Sequence, residues 1–351
     1  MQKIVLEKWR TESLRTDGPT GRAAVPPIGA QLATALAKQN SGAALNFAEL
    51  CQIARHYHAK QDMAGYARLL LNFDPRLRGH IGNCQNSEFL QATGCVPGAV
   101  NIYRVLRYKT LSGEKTCFEK IYTRKSPDFR RMQWFYRNMA AELTVAAPRL
   151  FEIVEGRQLA VCIFEFQPFK HSSADGLFAI VNAMSRFAAR HPQSAYPDAP
   201  DCMKRWPALC DTRYSNLREN LLLAGYTKNE IAQLRHRIDG FATVFNHGDL
   251  HRFNVGANDT VYDWDSCCFA PPGHEIGRSI AALRSFERLG GLQSAITNRF
   301  SDYLSEWPDV RLQILIFFLI YDAKTRLSPD DTARIAFLRE VFDRVAATPS
   351  R

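Results

Sequence analysis

Phe245-Asn246-His247-Gly248-Asp249-Leu250-His251-Arg252-Phe253-Asn254-Val255, then Val261-Tyr262-Asp263-Trp264-Asp265-Ser266, is the stretch that decides the fold. It sets a carboxylate at Asp249, an amide oxygen at Asn254 and a second carboxylate at Asp263 after a short gap. Phosphoryl transfer needs such a set: one group orients an alcohol, and two oxygen ligands hold Mg²⁺ on a nucleotide. Asp249 is therefore the candidate catalytic group, and Asn254 and Asp263 are candidate metal ligands. Asp265 shares a face with Asp263 if a strand continues there, and joins the metal set or caps the turn. His247 is read as ordering the loop through hydrogen bonds. His251 and Arg252 either face an acceptor or hold the loop.

The Asp-to-Asn spacing is that of the kinase catalytic loop, H-R-D-x-x-x-x-N, with Asp263-Trp264-Asp265 where D-F-G would stand. His247-Gly248-Asp249-Leu250-His251, Asn254 and Asp263-Trp264 together resemble the aminoglycoside phosphotransferase / choline kinase superfamily. That resemblance implies an α+β, bilobal protein-kinase-like fold, here with a helical N-terminal extension. It implies ATP and Mg²⁺ as cofactors and transfer of the γ-phosphate to a hydroxyl of a small molecule or glycan. Acceptors in the superfamily range over aminoglycosides, choline, ethanolamine, sugars and lipopolysaccharide sugars.

The resemblance also assigns residues outside the loop. Lys120, in Phe118-Glu119-Lys120-Ile121-Tyr122, falls where the family places its phosphate-binding lysine. Gly98 opens the turn that leads into the second strand, and Glu165-Phe166 resembles the hinge whose backbone meets adenine. Glu275 stands where a family Asp-Leu-Ala carboxylate braces the catalytic loop. One feature departs from the pattern. The helix expected over residues 127–145 should carry a glutamate to pair with the lysine, but its only one, Glu142, lies late; Asp128 and Gln133 are nearer the expected place. This leaves a catalytically inactive kinase-like domain, binding nucleotide or a protein partner, as the alternative. The intact Asp249, Asn254, Asp263 and Lys120 argue against it.

Periodicity orders the rest. Residues 1–85 read as a helical extension, with apolar spacing through Leu32, Leu36, Leu50, Ile53, Tyr66 and Leu70. Residues 86–167 read as an antiparallel sheet plus one helix that binds nucleotide, because alternating runs at 101–109 and 116–122 flank a Gly113 turn. Residues 168–351 read as a mainly helical part holding the catalytic loop and acceptor site. The apolar run 315–320 reads as a buried core helix.

The formal charge is +10. Its basic surplus is dense between Arg104 and Arg137, which favours a solvated face plus phosphate-binding residues. It also admits an anionic acceptor, such as a lipid-linked sugar met at the inner membrane surface. No nucleic-acid motif is present, so no nucleic acid is expected. Nine cysteines, with no C-x-x-C pair, read as reduced thiols in the cytoplasm. Met1–Arg10 lacks the apolar core of a signal peptide, and no apolar run approaches the ~18 residues of a membrane span.

Overall fold

The computed structural model describes residues 28–60, 62–78, 89–91, 102–110, 113–167, 172–256, 258–283, 288–306 and 309–348. Gly98 lies outside them. The chain divides into two compact units, residues 1–126 with 149–166, and residues 127–148 with 167–351.

The first unit joins three helices, α1 (Ile28–Asn40), α2 (Phe47–Ala59) and α3 (Met63–Phe73), to a five-stranded antiparallel sheet. The strands are β1 (Phe89–Gln91), β2 (Ile102–Thr110), β3 (Gly113–Thr123), β4 (Leu150–Glu155) and β5 (Leu159–Glu165), in the order β1-β2-β3-β5-β4. Side chains alternate across a strand, so Cys117, Glu119 and Ile121 of β3 share one face. Cys117 and Ile121 pack with Leu159, Val161 and Ile163 of β5 against Leu50, Ile53, Tyr66, Leu69 and Leu70 of the helices. The Tyr66 hydroxyl donates to the buried Glu119 carboxylate at 3.2 Å. The helical segment read as an extension is thus the cover of one sheet face. Asp74, just past α3, fastens it to the sheet. It accepts from the backbone N–H of Gln158 at 2.6 Å and of Leu159 at 3.0 Å, at the β4–β5 turn. A Cβ at Gly156 would run into this carboxylate, so the turn needs glycine there.

The second unit begins with α4 (Pro127–Asn138) and is otherwise α5 (Ala174–Ala189), α6 (Ala208–Leu223), α7 (Lys228–Gly240), α8 (Gly273–Leu283), α9 (Leu289–Glu306), α10 (Val310–Asp322) and α11 (Thr332–Ala347), with a short ribbon of β6 (Val244–Asn246) and β7 (Cys268–Ala270). Helix α4 clusters here, whereas the sequence grouped it with the sheet. It is also shorter than expected. Ala146 forms a parallel bridge to Thr260, and its carbonyl accepts from Val261 N–H at 2.8 Å, which draws the chain out of the helix. Glu142 therefore lies beyond the helix end, 3.7 Å from His191 Nε2.

The core of this unit is aromatic. Phe135 of α4 stacks on Trp264 at 3.9 Å between ring centres, and Phe245, Phe269 and Phe187 surround them. Aromatic side chains bury ~150–250 Å² each and dominate such cores. Arg131, on the same helix, is buried but donates to the carbonyls of Cys202, Arg205 and Trp206, which removes the cost of an unsatisfied buried cation. Helix α10 carries the apolar run and is buried along residues 312–321. It packs on α6, α8 and α11. The seven described cysteines form no disulfide with one another. Among the described residues no helix is long and apolar enough to cross a membrane.

Candidate active site

The loop hangs from the β6–β7 ribbon, whose register pairs Val244 with Ala270 and Asn246 with Cys268. The ribbon is pinned by Asn246, whose buried amide donates to the carbonyls of Val244 and Ala270, both at 2.9 Å. Past it the chain turns at Gly248, with φ 84°. A Cβ there would collide with the Ser266 carbonyl, so both the left-handed backbone and the close approach need glycine.

His247 is fully buried. One ring nitrogen, Nε2, lies 2.8 Å from the Tyr262 carbonyl, and the other accepts from Asp249 N–H at 3.3 Å. These two bonds fix the tautomer: Nε2 carries the proton. Asn254 is buried, and its Nδ2 donates to the Asp249 carbonyl at 2.9 Å. That bond sets the amide orientation, with Nδ2 toward the loop backbone and Oδ1 as its acceptor end.

Helix α8 braces the loop through one face. Glu275, Arg278 and Ser279 sit three and four residues apart, so they share that face. Glu275 accepts from Gly248 N–H at 3.1 Å and Leu250 N–H at 3.0 Å. Ser279 donates to the Leu250 carbonyl at 2.9 Å. Arg278 donates from Nε at 3.0 Å and from a terminal nitrogen at 2.6 Å to the same Asp249 oxygen, Oδ1. Its guanidinium also lies over the Tyr321 ring, 4.9 Å from the centre. Tyr321, on α10, is 2.9 Å from His274 Nε2 and donates to the Gly248 carbonyl at 3.4 Å. The loop is thus tied on both sides before any ligand arrives.

The charges follow from these contacts. Burial alone would raise the Asp249 carboxyl, but the Arg278 guanidinium and His251 outweigh it and hold the group well below the usual carboxylate range. Asp249 is ionised at neutral pH and is a weak base. Its other oxygen, Oδ2, lies 3.4 Å from His251 Nε2. Complete burial raises the Glu275 carboxyl in spite of His247 and its backbone donors. Burial pushes His274 down to about 3.

Asp263 departs from the strand expected for it. Its φ and ψ are 66° and 58°, a left-handed turn that leads into a 3-10 segment, Trp264–Ser266. The turn is what lets Trp264 swing inward onto Phe135. Left-handed non-glycine residues are uncommon and cluster where structure around them enforces the strain. Asp263 is exposed, whereas Asp265 is buried, so the two do not share a strand face. The donor set suits Mg²⁺: an amide oxygen and an exposed carboxylate are hard ligands, of the kind completed by phosphate oxygens and water. Among the described residues no three His, Cys, Asp or Glu side chains form a protein-only metal cage.

The first unit holds the remaining candidates. Lys120 is buried on β3, opposite Cys162 of β5 and Tyr103 of β2, and its ammonium lies 5.4 Å from the Tyr122 ring centre. At the end of β5, Glu165 N–H donates to the Arg149 carbonyl at 2.8 Å and Phe166 N–H to Thr116 at 3.2 Å. Both N–H groups are engaged within the sheet.

Sequence reading did not single out Arg278 or Tyr321. For Arg278 a signal existed, since it lies three residues past Glu275 at the start of a helix. Tyr321 carries none, because its neighbours read only as core.

The sequence model of the phosphotransferase enzyme family (APH) matches residues 105–312, more than half of the chain, and the chain belongs to that family. The match agrees with the resemblance carried by the loop. Solved structures similar to this chain include a thermostable mutant of aminoglycoside phosphotransferase APH(4)-Ia, 14% identical over 78% of this chain and 98% of that one, with a TM-score of 0.43. An ethanolamine kinase from Plasmodium vivax is 13% identical over 84% of this chain and 82% of that one, with a TM-score of 0.44. A type VIII aminoglycoside-3'-phosphotransferase is 17% identical over 77% and 98%, with a TM-score of 0.41. None of the curated proteins compared matches the chain.

Proposed function

We propose that this member of the phosphotransferase family moves the γ-phosphoryl group of ATP to a hydroxyl of a small molecule or glycan. The observation that carries the reading is the Asp249 loop. One carboxylate oxygen is locked by Arg278 while the other stays placed for a hydroxyl, and Asn254 turns its amide oxygen away from the loop. In this reading Asp249 orients the acceptor hydroxyl, and its low basicity suits a transition state in which the proton leaves late. Asn254 and Asp263 hold Mg²⁺, which neutralises charge on the phosphates when bound. Lys120 pairs with nucleotide phosphates, and the Glu165–Phe166 segment lies along the adenine. Asp265 supports the turn rather than the metal, given its burial. His247 keeps the loop in register.

The acceptor range is wide. The net charge of +10 favours a molecule bearing negative charge, with a lipopolysaccharide-type sugar at the inner membrane surface as the extreme of that range. A cytoplasmic enzyme fits cysteines that form no disulfide among the described residues.

The test is release of ADP by the full chain with ATP and Mg²⁺ across a panel of hydroxyl compounds, with the product identified by phosphorus NMR. Acceptor-dependent ADP release that a chelator abolishes is expected. ATP left intact with every acceptor, in protein that binds no nucleotide, contradicts the reading.

A further inference from the structure

Arg213 lies in the middle of α6, which packs on α10. It is half-buried, and among the described residues no hydrogen bond or ion pair holds its guanidinium. Burial and the neighbouring Arg278 charge lower its pKa, while Tyr321, Asp249 and Asp322 act in the opposite direction. Asn216 and Asn220, three and seven residues on along the same face of α6, donate to the carbonyls of Ala323 and Thr325 just past α10, at 3.2 and 3.1 Å. Arg213 therefore sits on the face of α6 that meets the Tyr321–Asp322 end of α10, where Tyr321 reaches the Gly248 carbonyl and Arg278 covers its ring. The carboxylates there are already in use. Asp249 is bound by Arg278, and Asp322 lies 3.7 Å from Arg334. A guanidinium taken partly out of water without a partner is costly, and such groups gather at functional sites. Its planar fork suits a carboxylate or phosphate bound through two hydrogen bonds.

We propose that Arg213, seconded by Arg278, is the specificity-determining cation of the acceptor site, and that the acceptor carries an anionic group, a carboxylate or phosphate, near the hydroxyl that is phosphorylated. This rests on the phosphotransferase reading for the hydroxyl, but the anion recognition is a property of the arginines alone. Arg278 fixes Asp249 while Arg213 holds the anion, so the hydroxyl is presented to Asp249 Oδ2 with its neighbour already neutralised. Acceptors carrying an amine at the same place meet two like charges and are disfavoured.

The experiment uses the full chain and isothermal titration with glycerate and glycerol 3-phosphate against glycerol and ethanolamine, beside ADP release with the same compounds. Binding of one or both anionic probes at least tenfold tighter than glycerol is expected. Arg213→Gln removes that difference, and Arg213→Lys keeps part of it. The glycerate and phosphate arms separate a carboxylate from a phosphate preference. Equal binding of all probes, no binding of either anion, tighter binding of ethanolamine, or an Arg213→Gln chain that binds the anions as well as the parent overturns the proposal. If hydroxyl compounds are phosphorylated without regard to charge, the inference fails and phosphotransfer stands. If the anions bind through Arg213 while no ATP is consumed with any compound, anion recognition stands and phosphotransfer fails.

Discussion

Asp74 and Glu275 perform the same task in different units. Each is a carboxylate with almost no accessible surface, and each accepts from two backbone N–H groups of a distant turn that also needs a glycine. Their acidities nevertheless move in opposite directions. Burial raises both, but at Asp74 the backbone donors, Gln158 and Leu159 foremost, overcome it, and the carboxyl falls below its ordinary value. At Glu275 burial wins over His247 and the backbone donors, and the carboxyl rises. The difference lies in the depth of the surroundings rather than in the carboxylates' own exposure. Asp74 meets a turn at the sheet edge whose Arg157 and Gln158 are exposed, whereas Glu275 sits under the Asp249 loop with buried α8 and α10 around it. A shallow staple is cheap to keep charged. A deep one trades charge stability for a rigid loop, which is a reasonable exchange only where geometry matters to chemistry.

Removing each staple is the coarsest way to break this comparison. Glu275→Ala leaves two buried N–H groups unsatisfied, at ~1–3 kcal/mol each. We expect a loss of roughly 3–5 kcal/mol in urea unfolding, faster amide exchange at Gly248 and Leu250, and no phosphotransfer. Asp74→Ala lets water reach the freed donors, so about 1–2 kcal/mol is expected, with faster exchange confined to Gln158 and Leu159. A larger loss for Asp74→Ala than for Glu275→Ala breaks the depth argument.

A second effect of similar size comes from His274. Among the described residues its Nδ1 has no partner, and burial holds the ring neutral. A histidine with a depressed folded value is stabilising to keep neutral above its ordinary value near 6.5, and that stability drains away as pH falls toward about 3. The full loss amounts to roughly 5 kcal/mol, and His274→Gln should flatten it in unfolding curves taken across that window.

The smallest effect is the most specific to the comparison. The lowered Asp74 contributes stability that is present above about pH 4 and lost as pH falls through its folded value. The raised Glu275 contributes stability that is full below about pH 4 and lost as pH rises through its folded value. Asp74→Asn should therefore flatten the acid side of the stability profile and Glu275→Gln the opposite side. If both variants alter the same side, the two carboxylates are not the opposites described.

Much of this was legible in the sequence where it is contiguous. His247 through Asn254 carries its own spacing, and β3 with Lys120 alternates in a way only a strand satisfies. Legibility failed where a distant partner decides the conformation. Val261-Tyr262-Asp263-Trp264 alternates like a strand, yet the Phe135 ring pulls Trp264 inward and bends the chain at Asp263. Residues 139–145 favour helix, yet the Ala146 bridge to Thr260 ends it at Asn138. Tyr321 joins the loop, and Arg213 comes to the same end of α10, only through packing of α6, α8 and α10, and no local pattern marks them. The first helices were read correctly as helices, but their role as the cover of the sheet depends on Asp74 meeting a turn more than eighty residues on.

We propose that Asp249 presents the acceptor hydroxyl to a nucleotide phosphate. The direct measurement is product formation by Asp249→Asn, set beside the parent chain in ADP release and phosphorus NMR, with ADP binding and thermal melting checked on both. The account predicts that kcat falls by ~10²–10⁴ while nucleotide still binds. Product formation at the parent rate in the Asp249→Asn chain contradicts it.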